Sequence, residues 1–168
     1  MRKPIVLLAI LGAGGGSGRA DSSIPNPRID IEAYLRAAQE AAAVRESRRV
    51  SEAEFLRMSR EPGTVILDAR SREKFDLLHI RGAINLSFPD IDIDSLARVL
   101  PDKGARILIY CNNNFENARE AFPSKRPSAS LNVSTYIALY DYGYRNVWEL
   151  GPLLDVERTQ LPLEPTRR

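Results

Sequence analysis

The most reactive side-chain type in this sequence is that of its single cysteine, Cys111, which directly follows an apolar run at positions 106–110. A cysteine thiolate is a nucleophile and can carry sulfur, although in many folds a lone cysteine is only a small buried hydrophobic residue. One cysteine cannot form a disulfide within the chain, so this thiol is free or pairs with another molecule. The one histidine, His79, could act as a base or could be a structural ring bonded to the backbone.

The segment that follows Cys111 is polar and interrupted by prolines. It begins with Asn112, Asn113, Asn114, Phe115 and Glu116, and from Asn112 to Ser130 we expect a long loop with one helical turn near residues 116–120. Three basic side chains in this loop could contact an anion or could be solvated surface charges, and they are Arg119, Lys125 and Arg126. The loop therefore supplies the candidate surroundings of the thiol.

Apolar runs of strand length alternate with helical segments along the chain, which predicts an α/β fold with a largely parallel sheet. The runs occupy residues 65–69, 83–86, 106–110 and 146–150, and an amphipathic helix at 29–44 precedes them. We expect Leu67, Ile84, Ile109 and Val147 to lie on adjacent strands. Ligands of such sheets bind beyond the carboxyl ends of the strands, which is where the sequence places Cys111.

Four short motifs occur in order on these elements. They are Leu67-Asp68-Ala69-Arg70 followed by Phe75, then His79-Ile80-Arg81-Gly82-Ala83-Ile84-Asn85, then Ile109-Tyr110-Cys111, and last Gly143-Tyr144-Arg145-Asn146-Val147 with Leu150-Gly151. In combination they resemble the rhodanese-like family over about residues 49–151. The resemblance implies an α/β fold, a three-layer rhodanese-like sandwich with a mainly parallel central sheet flanked by helices.

The resemblance also implies a role for each candidate residue. Cys111 would be the catalytic nucleophile, which takes up a sulfane sulfur as a persulfide and passes it to a thiophilic acceptor. Asp68, Arg70 and His79 would support the site, because charged residues at strand ends commonly brace loops and the histidine of this motif looks architectural.

The chain departs from the family at the residues that follow the cysteine. The family's active-site loop commonly reads Cys-Arg-x-Gly-x-Arg, and this chain lacks both arginines. We expect Asn114, at the glycine position, to adopt a left-handed backbone. Glu116 replaces an arginine, and we expect its charge to oppose thiolate formation and to repel a thiosulfate-like dianion. The sequence thus predicts a donor other than thiosulfate and a thiol that alkylating agents reach beneath a flexible loop.

The N-terminus and the composition bear on location and exclude several functions. Arg2 and Lys3 precede an apolar run at 5–11, and the small residues Gly18 and Ala20 predict cleavage of a signal peptide (1–20) after Ala20. The mature protein would be periplasmic or secreted, with no membrane segment left. We expect a linker and amphipathic helix at 21–47, a rhodanese-like domain at 48–156 and a C-terminal tail at 157–168. A net charge of +2 without a basic block offers no nucleic-acid footprint.

The sequence leaves two functions open. One is an exported sulfurtransferase or persulfide carrier, whose partner would be a small sulfur donor or acceptor, or a protein thiol. The other is a catalytically inactive rhodanese-fold binding module that uses the loop from Asn112 to Ser130. Cysteine-phosphatase chemistry would need an arginine where Glu116 stands. We expect no cofactor and no metal, because no nucleotide-binding motif is present and one histidine with one cysteine cannot close a metal site.

Overall fold

Five parallel strands form the central sheet of the computed structural model, which describes residues 26–166. Their order across the sheet is β1 (Arg49–Val50), β7 (Val147–Leu150), β5 (Arg106–Tyr110), β2 (Thr64–Asp68) and β4 (Ile84–Asn85). Leu67 is paired with Ile84 on one side and with Ile109 on the other, and Val147 is paired with Ile107. The predicted parallel sheet and its four central residues are therefore confirmed.

The remaining elements surround this sheet. The helices are α1 (Ile31–Arg45), α2 (Glu52–Ser59), α3 (Arg72–Leu77), α4 (Ile93–Val99) and α5 (Leu131–Asp141), with short 3-10 turns at Glu46–Arg48, Phe88–Asp90, Asn112–Asn114 and Pro127–Ala129. Two further strand pairs form beside the sheet. They are antiparallel β3 (His79–Ile80) with β9 (Leu163–Glu164), and parallel β6 (Phe115–Glu116) with β8 (Leu154–Asp155).

Successive side chains of each strand point to opposite faces of the sheet, and each face carries its own hydrophobic core. Leu67 and Ile109 face a core closed by α1, α4 and α5, whereas Leu108 and Tyr110 face a second core closed by α2 and by the segment after β6. The central strands are buried on both faces because both cores cover them, which explains their continuous apolar runs. The expected three-layer α/β arrangement is confirmed.

The N-terminal helix is joined to the sheet by an ion pair. Arg45, the last residue of α1, donates from Nε and Nη2 to the two carboxylate oxygens of the buried Glu149 on β7, at 2.6 and 2.7 Å. Ala37 and Ala41 are the buried residues of α1, whereas Ile31 and Leu35 are exposed. The expected amphipathic helix thus packs on α5 through its small alanines, which allow close approach.

The segment expected to be a C-terminal tail belongs to the fold as far as residue 166. Leu161 is buried, β9 pairs with β3, and Arg81 N donates to Pro162 O at 2.7 Å. The sequence did not predict this packing, because a two-residue strand and one buried leucine form no recognisable hydrophobic pattern. The predicted signal peptide (1–20) lies outside the described residues, as does most of the linker. Within residues 26–166, no helix combines the length and apolar character needed to span a membrane.

Candidate active site around Cys111

Cys111 lies at the carboxyl end of β5, in the centre of the sheet, and its side chain is completely buried (0% exposed). Its Sγ accepts a hydrogen bond from Asn113 N at 3.3 Å and lies 3.3 Å from Ser130 Oγ. The chain turns sharply here, because the 3-10 turn Asn112–Asn114 begins at the next residue. The thiol predicted to be reachable is therefore enclosed, and the prediction of an accessible cysteine is corrected.

Asn114 fixes this turn with its side chain rather than with a left-handed backbone. Its Oδ1 accepts from Cys111 N and from Asn132 Nδ2, both at 2.9 Å. Its Nδ2 donates to Leu150 O at 2.7 Å and to Pro152 O at 3.2 Å. The expected positive φ is found instead at Asn117 (φ 66°), so Asn114 contributes an amide that joins the ends of β5 and β7 to α5.

The other two asparagines bind residues 117–129, which we call the cover segment. Asn113 Nδ2 donates to Lys125 O and Asn113 Oδ1 accepts from Lys125 N, both at 2.9 Å, so the side chain pairs with backbone as a neighbouring strand would. Asn112 Nδ2 donates to Pro123 O. These bonds hold the cover segment against the turn that carries Cys111.

The cover segment is packed rather than loose. Phe122 is buried with its ring centroid 4.6 Å from that of Phe115, and Ala121 beside it is also buried. Phe122 N donates to Ala118 O at 2.8 Å, which closes a turn at 118–122 where one was expected near 116–120, and a 3-10 turn follows at Pro127–Ala129. The sequence obscured this packing because the two phenylalanines stand among polar residues.

Asp68 and Arg70 form a buried ion pair at the end of β2. Arg70 donates from Nε and Nη2 to the Asp68 carboxylate at 2.6–3.1 Å, and its Cζ lies 4.1 Å from the centroid of the Phe122 ring. Nη1 donates to Ala121 O at 2.8 Å, and Nη2 also donates to Leu78 O at 2.7 Å. Arg70 therefore connects β2 to the cover segment.

Tyr110 lies beside this pair on β5. Its hydroxyl accepts from Ile80 N at 3.1 Å. Burial raises the pKa of Tyr110 well above its ordinary value, and the Asp68 charge raises it further, so the phenol stays neutral. Asp68, Arg70 and Tyr110 thus form a structural network below the cover segment.

His79 is occupied by structural contacts on β3. Its ring stacks on Phe75 with centroids 3.8 Å apart, and Nδ1 lies 2.8 Å from Phe75 O. The ring therefore joins α3 to β3.

Glu116 lies outside the turn that follows Cys111. The chain enters β6 directly after the 3-10 turn, and Glu116 is exposed there, paired with Asp155 of β8. Its side chain lines a groove with Asn117, Arg119 and Ser124, and it makes none of the hydrogen bonds to Sγ. The expected repulsion between Glu116 and a thiolate or a dianion stays a prediction.

The three basic residues of the loop are also separated. Lys125 lines a cavity of about 310 Å³ together with Lys74, Ser71, Ser87 and Asn112, among others, at the carboxyl edge of the sheet. Arg119 lines the groove beside Glu116, and Arg126 is exposed. Of these three residues, Lys125 is the one that lines the cavity next to the turn after Cys111, because Asn112 of that turn lines the same cavity.

Sequence reasoning missed two residues of the site. The sequence predicts Ser130 as the end of the long loop and Asn132 as part of the following helix, with no role in the site for either. The serine could have been recognised as the N-cap of α5, but only folding of the cover segment brings it to Cys111 across 19 positions. Among residues 26–166, no group of three or more Asp, Glu, His or Cys is arranged to hold a metal ion.

A family model described as "Rhodanese-like domain" matches residues 51–150, well over half of the chain. A search of curated proteins finds none that matches this chain. The similar solved structures include the Alr3790 protein from Anabaena sp., with 22% identity, a TM-score of 0.50, and coverage of 69% of this chain and 80% of that one. At this identity the likeness shows the fold alone.

Two other solved structures are similar at lower TM-scores. A rhodanese with anions from E. coli is 23% identical with a TM-score of 0.43, and covers 61% of this chain and 99% of its own. A thiosulfate sulfurtransferase from Pseudomonas aeruginosa is 19% identical with a TM-score of 0.48, and covers 80% of this chain and 24% of its own.

We expect native Cys111 to react slowly with iodoacetamide, and Asn113→Ala to speed alkylation about tenfold or more. The substitution removes both hydrogen bonds to Lys125, each worth about 0.5–1.5 kcal/mol, and so favours local opening of the cover segment. Alkylation is followed by intact mass. Asn146→Ala, at the amino end of β7, is the control and should keep the native rate. Equal rates in native and Asn113→Ala protein would contradict this account of the cover.

Arg70→Met should lower the free energy of unfolding by about 3–5 kcal/mol, because it leaves the Asp68 carboxylate buried without its cation. Urea unfolding measures the loss. Arg72→Met, which breaks the exposed pair of Arg72 with Asp76, is the matched control and should cost less than about 1 kcal/mol. A loss no greater than that of the control would show that the buried pair does not stabilise the fold.

Proposed function

Because the chain belongs to the rhodanese-like domain family, we propose that it is an exported sulfurtransferase that carries sulfur on Cys111 as a persulfide. The observation that supports this most directly is the position of Sγ, at the carboxyl end of a central strand between Asn113 N and Ser130 Oγ. Both groups can donate to a sulfur anion, and hydrogen bonds to a charged group are the stronger kind. The carboxyl edge of a parallel sheet is also where ligands of α/β folds bind.

The reaction that suits this site is transfer between two sulfur anions. The Cys111 thiolate attacks the outer sulfur of a donor persulfide or polysulfide, and a bond forms between Sγ and that sulfur. The sulfur–sulfur bond of the donor breaks, and the rest of the donor leaves as a thiolate. A thiol acceptor later removes the carried sulfur by the same exchange, so no oxidant or reductant is consumed.

The charges around the thiol favour a donor other than thiosulfate. The polar contacts of Sγ come from a backbone amide and a hydroxyl, which are neutral, whereas a dianion benefits most from guanidinium groups. Lys74 and Lys125 line the cavity of about 310 Å³ beside Asn112, and their positive charges would attract an anionic sulfur donor.

A second candidate function follows from the burial of Cys111. The side chain is 0% exposed, and the cover segment is tied down by Asn112, Asn113 and Arg70. A binding module would need no access to the thiol and could use the exposed surface of the cover segment. Sulfur transfer, in contrast, requires the cover segment to open.

We expect the protein to gain the mass of one sulfur atom when it is incubated with inorganic polysulfide. Cys111→Ser should gain none, and thiosulfate should load the protein at least about tenfold more slowly, because the groups that contact Sγ offer no charge-assisted bond to its sulfite leaving group. Intact mass spectrometry measures the product, and a thiol reductant should reverse it. Asn113→Ala keeps the backbone N–H and should load faster. If neither the native protein nor Asn113→Ala gained sulfur, the result would favour the binding module.

Export is a separate part of the proposal and is supported by the basic residues and the apolar run at 1–11. We expect the protein isolated from the periplasm or medium of its native host to begin at Asp21. N-terminal sequencing measures this. Recovery of Met1 or Arg2 from that fraction would contradict cleavage, while leaving the chemistry of Cys111 untouched.

A further inference from the structure

The N-cap serine of helix α5, Ser130, does not cap the helix with its side chain, and the same is true of Ser71 at the start of α3. Ser51 accepts from Glu54 N at 3.2 Å at the start of α2, and Asp92 accepts from Ser95 N at 2.7 Å at the start of α4. Ser130 holds the same position in α5 but makes no side-chain bond to the helix. Its Oγ lies instead 3.3 Å from Cys111 Sγ.

The side chain of a serine at the N-cap normally accepts a hydrogen bond from one of the free N–H groups of the first turn, and loss of that bond destabilises the helix. Ser130 is buried, so its hydroxyl cannot bond freely to bulk water in place of the missing bond. The neighbour available to it is the sulfur of Cys111.

We infer that Ser130 is a thiolate-stabilising residue, whose hydroxyl donates a hydrogen bond to the anionic form of Cys111. A thiolate can only accept, so the hydroxyl must be the donor whenever the sulfur is charged. In the neutral thiol the same contact involves a weak S–H donor or a weak sulfur acceptor. The contact therefore favours the charged form, and the inference rests on the proposed function of Cys111 as a nucleophile.

Two further features act in the same direction. Asn113 N donates to Sγ from the 3-10 turn, so sulfur has a donor on two sides. Helix α5 is 11 residues long, and its N-terminal end, which carries a partial positive charge, begins at Ser130. Neither group belongs to the cover segment, although Ser130 follows it directly and donates from its N–H to Pro127 O at 3.2 Å.

Several charged or titratable groups lie near the turn and the start of α5. They are Asp68 and Arg70 at the end of β2, Lys74 on α3, Lys125 on the cover segment, and Arg45, Arg49 and Glu149 along the cleft that Ser130 lines. His79 is bound to Phe75 O on β3. All of these groups are the same in every Ser130 variant, so a difference between the variants reports the hydroxyl.

The test compares the pH midpoint of thiolate formation in native protein, Ser130→Ala, Ser130→Thr and Ser130→Val. The ultraviolet absorbance of the thiolate is measured against pH, and subtraction of the Cys111→Ser titration removes the tyrosine signal because the chain has one cysteine. We expect Ser130→Ala and Ser130→Val to raise the midpoint by about one pH unit, which corresponds to losing a hydrogen bond to a charged group. Ser130→Thr should keep the native midpoint.

Ser128→Ala is the matched control, because Ser128 is exposed two positions earlier and should leave the midpoint unchanged. Threonine and valine have nearly the same shape, so their comparison isolates the hydroxyl even if alanine disturbs folding. An unchanged or lowered midpoint in Ser130→Val relative to Ser130→Thr would overturn the inference. The titration needs no sulfur donor, so failure of polysulfide loading would contradict the proposed function without touching this result.

Discussion

The buried ion pair between Asp68 and Arg70 is the interaction on which the candidate site depends. Both charges are buried away from water, and a buried charge without partners would cost several kcal/mol. The Asp68 carboxylate accepts from Nε and Nη2, and the carbonyl groups of Leu78 and Ala121 accept from Nη2 and Nη1. The cover segment is therefore held by the requirement that Arg70 stay bonded, as well as by its own phenylalanine.

The three asparagines after Cys111 change what the loop can do. A guanidinium only donates, and is suited to an anion, whereas an amide donates and accepts and can pair with both groups of a backbone. Asn113 does this with Lys125, and Asn114 makes four bonds that join β5, β7 and α5. The loop is thus occupied by its own chain. The consequence is a thiol with neutral hydrogen-bonding partners that is closed to solvent.

Enclosure and stabilisation of the sulfur come from different parts of the molecule. The cover segment packs against the turn that carries Cys111, while that turn and the start of α5 supply the groups that contact the sulfur. Neither contacting group belongs to the cover segment, although both residues bond to it, Asn113 through Lys125 and Ser130 through Pro127 O.

The sequence alone determined the parallel sheet, because apolar runs that alternate with helices have few other solutions, and it determined that Cys111 ends a central strand. It also carried the family motifs at Asp68, Arg70 and His79. Only the tertiary structure decided that Cys111 is buried, that Glu116 leaves along β6, that Asn114 works through its side chain, and that Ser130 meets the sulfur. These depend on contacts between residues far apart along the chain, which packing and hydrogen bonding select and which local patterns do not encode.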